Sequence, residues 1–251
     1  MKKTFLTMLI VGSCALLSAQ EVAPPEPAFD ATVGYTESIN LRGLSYGGDG
    51  IVTGIHGKIP TKWADIHIGA YHVWGEDKAK NIDSQSHFSL FASKGWNWGK
   101  WGLKANAGVR KHQVSNPAIY DSVAVRTSLT LNEDPIGITK WVKPSVSVWR
   151  DTDYDFSGVT WGLHNTWHWD VLGHQWHITP AIKWGSAGEM KTTGDYDYTK
   201  ATLRVGTEVN VFGHDLEPSV KLTYLDNDIH GDLGFASESE TSVWAGIKYR
   251  F

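Results

Sequence analysis

The chain has 251 residues and a formal net charge of −4, so it is long enough for one large domain and lacks the basic surplus of a nucleic-acid-binding protein. Past the first twenty residues no apolar run reaches the ~20 residues of a membrane helix, which excludes a helical membrane protein. Thirteen Trp and twenty-six Gly beside only three Met suit strands with interfacial aromatics better than a helical core.

Residues 1–19 have the layout of a secretory signal peptide: Lys2 and Lys3, an apolar stretch over residues 5–11 extended by residues 15–17, then the small pair Ser18-Ala19. A buried helix is one competing reading. A lipoprotein box at Val11-Gly12-Ser13-Cys14 is another, and it would leave a very short signal. Cys14 is the one cysteine, so the processed chain is expected to hold no disulfide and no Cys-based metal site. Residues 20–28, with Pro24, Pro25 and Pro27, read as an extended polar leader on the periplasmic side.

From Phe29 onward the hydrophobic period is two. In the last segment Thr241, Val243, Ala245, Ile247, Tyr249 and Phe251 share one face, and Ser242, Trp244, Gly246, Lys248 and Arg250 share the other. The same alternation sets Val159, Trp161, Leu163, Trp167 and Trp169 against Thr160, Gly162, His164, Thr166 and His168. It sets Trp176, Ile178, Ile182 and Trp184 against His177, Thr179, Ala181 and Lys183. Twelve such segments are legible, each close to the ~9–11 residues of a transmembrane strand. The predicted fold is all-β: a transmembrane antiparallel up-and-down β-barrel of twelve strands over residues 29–251. A soluble barrel or sandwich would need a polar outer face, and the larger side chains here are aliphatic and aromatic. The first four strands are less regular, because Glu37, His72 and Lys94 fall on the lipid face; either a bulge shifts the register or the strand limits lie a residue away.

Connections alternate in kind. Trp98-Gly99-Lys100-Trp101 and Phe212-Gly213-His214-Asp215 read as two-residue Gly-X hairpins, and the turn at Leu172-Gly173 is also short. Residues 76–86, 151–155, 185–197 and 226–240 read as longer polar loops. Short turns inside and long loops outside, with an even strand count, leave both termini periplasmic. Trp63, Trp96, Trp98, Trp101, Trp141, Trp169, Trp176, Phe212 and Phe251 form one expected girdle beside the short turns. Tyr46, Trp74, Tyr120, Tyr154, Phe156, Trp184, Tyr198 and Tyr224 form the other. A Pro-containing phrase recurs at Pro144, Pro180 and Pro218, each just above a periplasmic turn; the pattern alone supplies no reason for it.

The inward set contains Arg42, Lys58, Lys104, Arg110, Arg126, Lys143, Lys183, Arg204, Lys221, Lys248 and Arg250. Fewer carboxylates face inward: Asp170, Glu208 and Glu217. A net-positive lumen favours anions. Two functional readings remain open: passage of small anionic solutes, or a plugged barrel in which Glu208, Glu217, Arg204 and Lys221 satisfy one another. His168 is expected opposite His177, with His164 about 13 Å away along the strand, too few ligands for a metal site. An enzyme acting on lipid would need Ser and His together on the outer face, and no Gly-x-Ser-x-Gly phrase is present. An adhesive or structural barrel is a third class. No cofactor or catalytic residue is expected.

The terminal Lys248-Tyr249-Arg250-Phe251 resembles the C-terminal signature of bacterial outer-membrane proteins. That resemblance implies recognition of Tyr249 and Phe251 by the barrel-assembly machinery, with outer-membrane lipid as the surroundings. Ile39-Asn40-Leu41-Arg42-Gly43-Leu44-Ser45 resembles the Phe-Arg-Gly-Ile/Val-Ser phrase of TorF-type porins, with Leu41 in place of the aromatic. That resemblance implies a porin role and small solutes as partners.

Overall fold

The computed structural model describes residues 26–38, 49–77, 82–115, 121–153, 156–190, 194–228 and 239–251. At 40–41, 44–45, 76–77, 82–83, 114, 189–190 and 194–195 it describes the backbone alone. The signal, most of the leader, Arg42, Tyr46, Tyr120 and Tyr154 therefore lie outside the described side chains.

Alternating sequence becomes strand almost throughout. We number the barrel strands β1 Ala28–Thr36, β2 Gly50–Pro60, β3 Asp65–Asp77, β4 Ile82–Trp98, β5 Trp101–Val114 and β6 Ser122–Glu133. The second half comprises β7 Lys143–Asp151, β8 in two segments Phe156–His164 and Trp167–Val171, β9 His174–Met190, β10 Gly194–Val211, β11 His214–Asn227 and β12 Glu240–Arg250. Each strand pairs antiparallel with the next. β1 then pairs with β12 from Asp30↔Arg250 to Thr36↔Trp244. The sheet is thus a closed twelve-stranded up-and-down barrel among the described residues, with no free edge to cap. Backbone bonds of 3.3 and 3.1 Å between Phe29 and Phe251 extend the closing seam by one rung. A two-residue ladder, Asn40–Leu41 with Leu44–Ser45, stands apart from the barrel.

The outer face is apolar, as a transmembrane barrel requires: Ile51, Ile55, Ile68, Phe88, Leu90, Val109, Trp161, Leu203 and Leu222 all stand exposed. The pairing resolves the irregular first strands. Cross-strand partners share a face, and Val52↔Val73 and His56↔Gly69 place the odd residues of β3 inward. His72 therefore does point outward, and so does Lys94 opposite Ala105. Glu37 lies just past β1 and continues the seam, its backbone N–H donating to Val243 at 3.0 Å. No bulge is involved; the one register shift in this region falls later, between Trp74 and Asp77.

Two expected loops are shorter than they read. β9 and β10 remain paired through Ala187↔Tyr196 to Met190↔Gly194, and β3 and β4 reach Asp77↔Ile82. The hairpins therefore extend past 185–197 and 76–86 from within. The turn at Phe212-Gly213 also differs from the expected Gly-X form. Both Phe212 (φ 53°) and Gly213 (φ 83°) are left-handed, as are Leu172 (φ 55°) and Gly173 (φ 79°). Positive φ at both central residues is the mirror-image turn that matches strand twist. Gly99 (φ 62°) fits the Gly-X expectation.

The recurring prolines now have an account. Pro180 pairs without interruption with Leu203 on β10, but opposite it on β8 the strand breaks at residues 165–166. Pro218 pairs with Ile247 on β12, whereas the β10–β11 ladder skips from Gly206↔Ser219 to Val209↔Leu216. Pro144 pairs with Leu163, and the β6–β7 ladder ends one residue before it at Thr130↔Ser145. Each proline turns its missing donor toward the preceding strand and removes rungs from that hairpin alone.

Candidate functional site

The inner wall is the candidate site, and the strand faces deliver the residues to it. Near the short-turn end the inward charges are paired. Lys58 Nζ lies 2.9 Å from Asp65, and His56 Nδ1 lies 3.2 Å from Asp30. The His56 ring stacks on His67 with centroids 5.6 Å apart. Glu217 is the hub of this level. Its buried carboxylate accepts from Arg204 at 2.8 Å, Lys248 at 2.7 Å and Arg250 at 2.7 Å, with His177 Nε2 at 3.5 Å. Arg250 also bridges to Glu208 at 2.8 Å. Three cations around one carboxylate leave the cluster net positive even after Glu208 is counted.

Further along the axis lie the cations of the strand midsections. Lys183 is directly opposite Lys200, and Arg204 is directly opposite Lys221. The Trp244 indole faces inward and lies 5.8 Å from the Arg204 guanidinium and 5.9 Å from the Lys221 ammonium. Arg126 donates to Ser147 at 3.1 Å, and Arg110 lies over the Phe91 ring at 5.9 Å. A cavity of about 530 Å³ opens between the walls. Arg110, Tyr71 and His87 line it from β3 to β5; Lys200, Arg204, Lys221, Trp244 and Lys248 line it from β10 to β12. Asp30 is the one carboxylate of its described lining.

Toward the long-loop end the inner face carries a cluster of packed aromatic rings. Trp149 and Phe156 pack edge to face at 5.1 Å, Phe156 stacks on Tyr196 at 5.5 Å, and Tyr196 adjoins Tyr198 at 6.2 Å. The Tyr198 hydroxyl and the Thr160 hydroxyl are 2.7 Å apart. This corrects the expected outer girdle at two positions: Phe156 and Tyr198 are 2% and 7% exposed and point inward. They sit on the same strand faces as Thr160 and Arg204, so the alternation already carried that information. Trp74, Trp184 and Tyr224 do face outward.

Of the inward positions read from sequence, Lys104 lies on the inner face opposite Thr130 and Gly95, and Lys143 lies opposite His164. Missing from that reading were Lys200, Asp30, Asp65 and the buried Asp151, although strand parity marks them all. His168 and His177 are directly opposed as expected, with ring centroids 6.1 Å apart. No group of three or more His, Cys, Asp or Glu among the described residues has metal-binding geometry.

The short-turn rim is apolar to its tips. Trp98 (82%), Leu172 (94%) and Phe212 (98%) are nearly fully exposed, and Trp63, Ile136 and Trp141 are also exposed. The one long turn here, between β6 and β7, is held by Asp134. Its carboxylate accepts the backbone N–H of Ile136 and Ile138 at 3.0 Å and of Thr139 at 2.6 Å. Desolvation works to raise the Asp134 pKa, but these hydrogen bonds prevail and hold it at about 2. At the closing seam, Tyr249 stacks on Phe251 at 5.5 Å, and its hydroxyl lies 2.9 Å from His214 Nδ1.

One pairing on the outer face was not foreseen. His72 Nδ1 lies 2.8 Å from Ser86 Oγ, with Trp74 packed edge-on against the imidazole at 4.3 Å.

No described protein family and no curated protein matches the sequence, so the TorF-type resemblance gains no support from such a match. Among solved structures, the chain is similar to an outer membrane channel from Pseudomonas putida F1, at 9% identity and TM-score 0.46, covering 94% of this chain and 100% of that one. It is similar to the β domain of the Bordetella autotransporter BrkA, at 14% identity and TM-score 0.44, covering 90% and 98%. It is also similar to the Acinetobacter baumannii outer membrane protein Omp33, at 6% identity and TM-score 0.42, covering 92% and 100%. These likenesses are distant, and the fold assignment rests on the closed strand pairing instead.

Proposed function

We propose that the protein is a porin-like channel of the bacterial outer membrane that passes small anionic solutes, with both termini in the periplasm. The observation that carries this reading is the cavity between the barrel walls, whose described lining sets Arg110, Lys200, Arg204, Lys221 and Lys248 against one carboxylate, Asp30. Fixed positive charge in a narrow water-filled path lowers the barrier to anions and raises it to cations. The apolar outer face and the aromatic rim at the short turns suit the hydrocarbon and headgroup layers. The exposed ring of Phe251 at the seam suits reading of the C-terminus by the assembly machinery. Bulky side chains on the inner face at both ends, the Glu217 hub and the aromatic cluster, support a small solute.

Planar-bilayer recording in a potassium chloride gradient tests the reading. Discrete steps with a reversal potential on the anion side are expected. The double substitution Arg126→Glu and Arg204→Glu should weaken or reverse that preference. A silent bilayer would overturn the channel.

A second reading is favoured by one observation, the outward Ser86–His72 pair. Serine and histidine at hydrogen-bond distance on a lipid-facing wall are the nucleophile and base of ester hydrolysis. The second ring nitrogen of His72 has no orienting partner among the described residues, which ranks this reading below the channel. Release of fatty acid from phospholipid vesicles, abolished by Ser86→Ala, would establish it.

A further inference from the structure

Lys183 and Lys200 stand directly opposite one another on the inner faces of β9 and β10. Like charges directly opposite on adjacent strands are destabilising. Lys183 has no carboxylate within ion-pair distance among the described residues, and the buried carboxylate Glu217 is already engaged by Arg204, Lys248 and Arg250. A second opposed pair, Arg204 and Lys221, lies four residues further along β10, with the Trp244 ring near both heads and Arg204 also paired to Glu217. Arg110 closes the set from the opposite wall of the same cavity. Beside it on β6, the Arg126 Nε–H is buried with no acceptor among the described residues.

We infer that this level of the lumen is a binding site for a doubly charged tetrahedral oxyanion, of which inorganic phosphate is the simplest member. The inference rests on the channel reading and narrows its substrate class. A halide offers one charge and no directional acceptors. A tetrahedral oxyanion offers several oxygens, and cations converging from two walls can each donate to a different one. The Thr223 and Ser242 hydroxyls on the same lining add neutral donors. The cavity of about 530 Å³ lies within the ~300–1,000 Å³ typical of small-molecule sites.

Chloride conductance of the full-length protein in planar bilayers, titrated with inorganic phosphate, tests this. Phosphate should reduce the chloride current in a saturable way at millimolar concentration. Lys200→Gln and Lys221→Gln should each raise the half-blocking concentration about tenfold, the loss expected for one charge-assisted contact. Lys111→Gln, on the outer face, should leave it unchanged. Folding of each variant is checked by the heat-dependent shift in gel mobility. Chloride current that persists unaltered in 100-fold higher phosphate would overturn the oxyanion site and leave the channel standing. Calorimetric binding of phosphate to detergent-solubilised barrel that conducts nothing would uphold the site and overturn the channel. Absence of both current and binding would overturn both.

Discussion

Replacing Glu217 by Gln tests whether the short-turn end of the lumen is held together by its charges. The Glu217 side chain is 5% exposed and accepts from three cations whose exposures are 32% for Arg204, 21% for Lys248 and 47% for Arg250. Removing one member of a fully buried ion pair costs ~3–5 kcal/mol, because the partner is left charged and desolvated. Here the partners are partly wet, so water screens part of that cost. Glutamine also keeps the shape and one acceptor oxygen. The expected loss is therefore about 1.5–3 kcal/mol, below the fully buried figure and above the ±0.5 kcal/mol of an ordinary surface change. The assay is urea unfolding of the detergent-solubilised barrel, followed by tryptophan fluorescence and far-ultraviolet circular dichroism. Adding Lys248→Gln should recover part of the loss, with a coupling of roughly 0.5–3 kcal/mol. The same variant removes one negative charge from the lumen and should move the reversal potential further toward anions. A stability change under about 0.5 kcal/mol together with an unmoved reversal potential would refute the hub.

Gly185→Ala should destabilise the barrel by about 1–3 kcal/mol through overpacking. A Cβ there would meet the Tyr198 ring, and displacing that ring also breaks its bond to Thr160; thermal unfolding of the folded gel band measures it. The β6–β7 turn should open in acid. The Asp134 pKa is depressed from 3.8 to about 2, so its contribution is full above the unfolded value and is lost as pH falls through the folded one. Amide exchange at Ile136, Ile138 and Thr139 should rise between about pH 4 and 2, and Asp134→Asn should remove that dependence. Phe251→Ala should lower the amount of folded protein in the outer-membrane fraction of expressing cells. It removes the ring that stacks on Tyr249 and lies 6.3 Å from Phe29 across the seam; unchanged insertion would refute a role for this residue in assembly.

Most of the barrel was legible in the chain, because a strand encodes its faces locally. Side chains alternate with a period of two whatever lies across the sheet, so the inward and outward sets of β8 to β12 could be read residue by residue. The register through Trp169 and Trp176 was equally local, because a two-residue turn leaves one pairing available. Phe156 and Tyr198 were misplaced by reasoning from height beside the loops instead of from parity, and the same oversight hid Lys200 and Asp30. The outward placement of His72 looked like an error only because a polar residue on the lipid face seemed costly; Ser86 on the neighbouring strand supplies its partner.

What the alternation could not contain is distance across the lumen. It marks Arg110 and Lys221 as inward, yet whether strands β5 and β11 face one another depends on closure and on the tilt of every strand between them. The Glu217 hub draws Arg204, Lys248 and Arg250 from three strands onto one carboxylate, and the prolines interrupt only the rungs their nitrogens face. By itself, then, the sequence determined the class of fold and the strand count, because both follow from periodicity. The closed structure alone decided which cations Glu217 gathers near the short turns, and that two of them, Arg204 and Lys248, also line the cavity, because that depends on groups far apart in the chain meeting across the lumen.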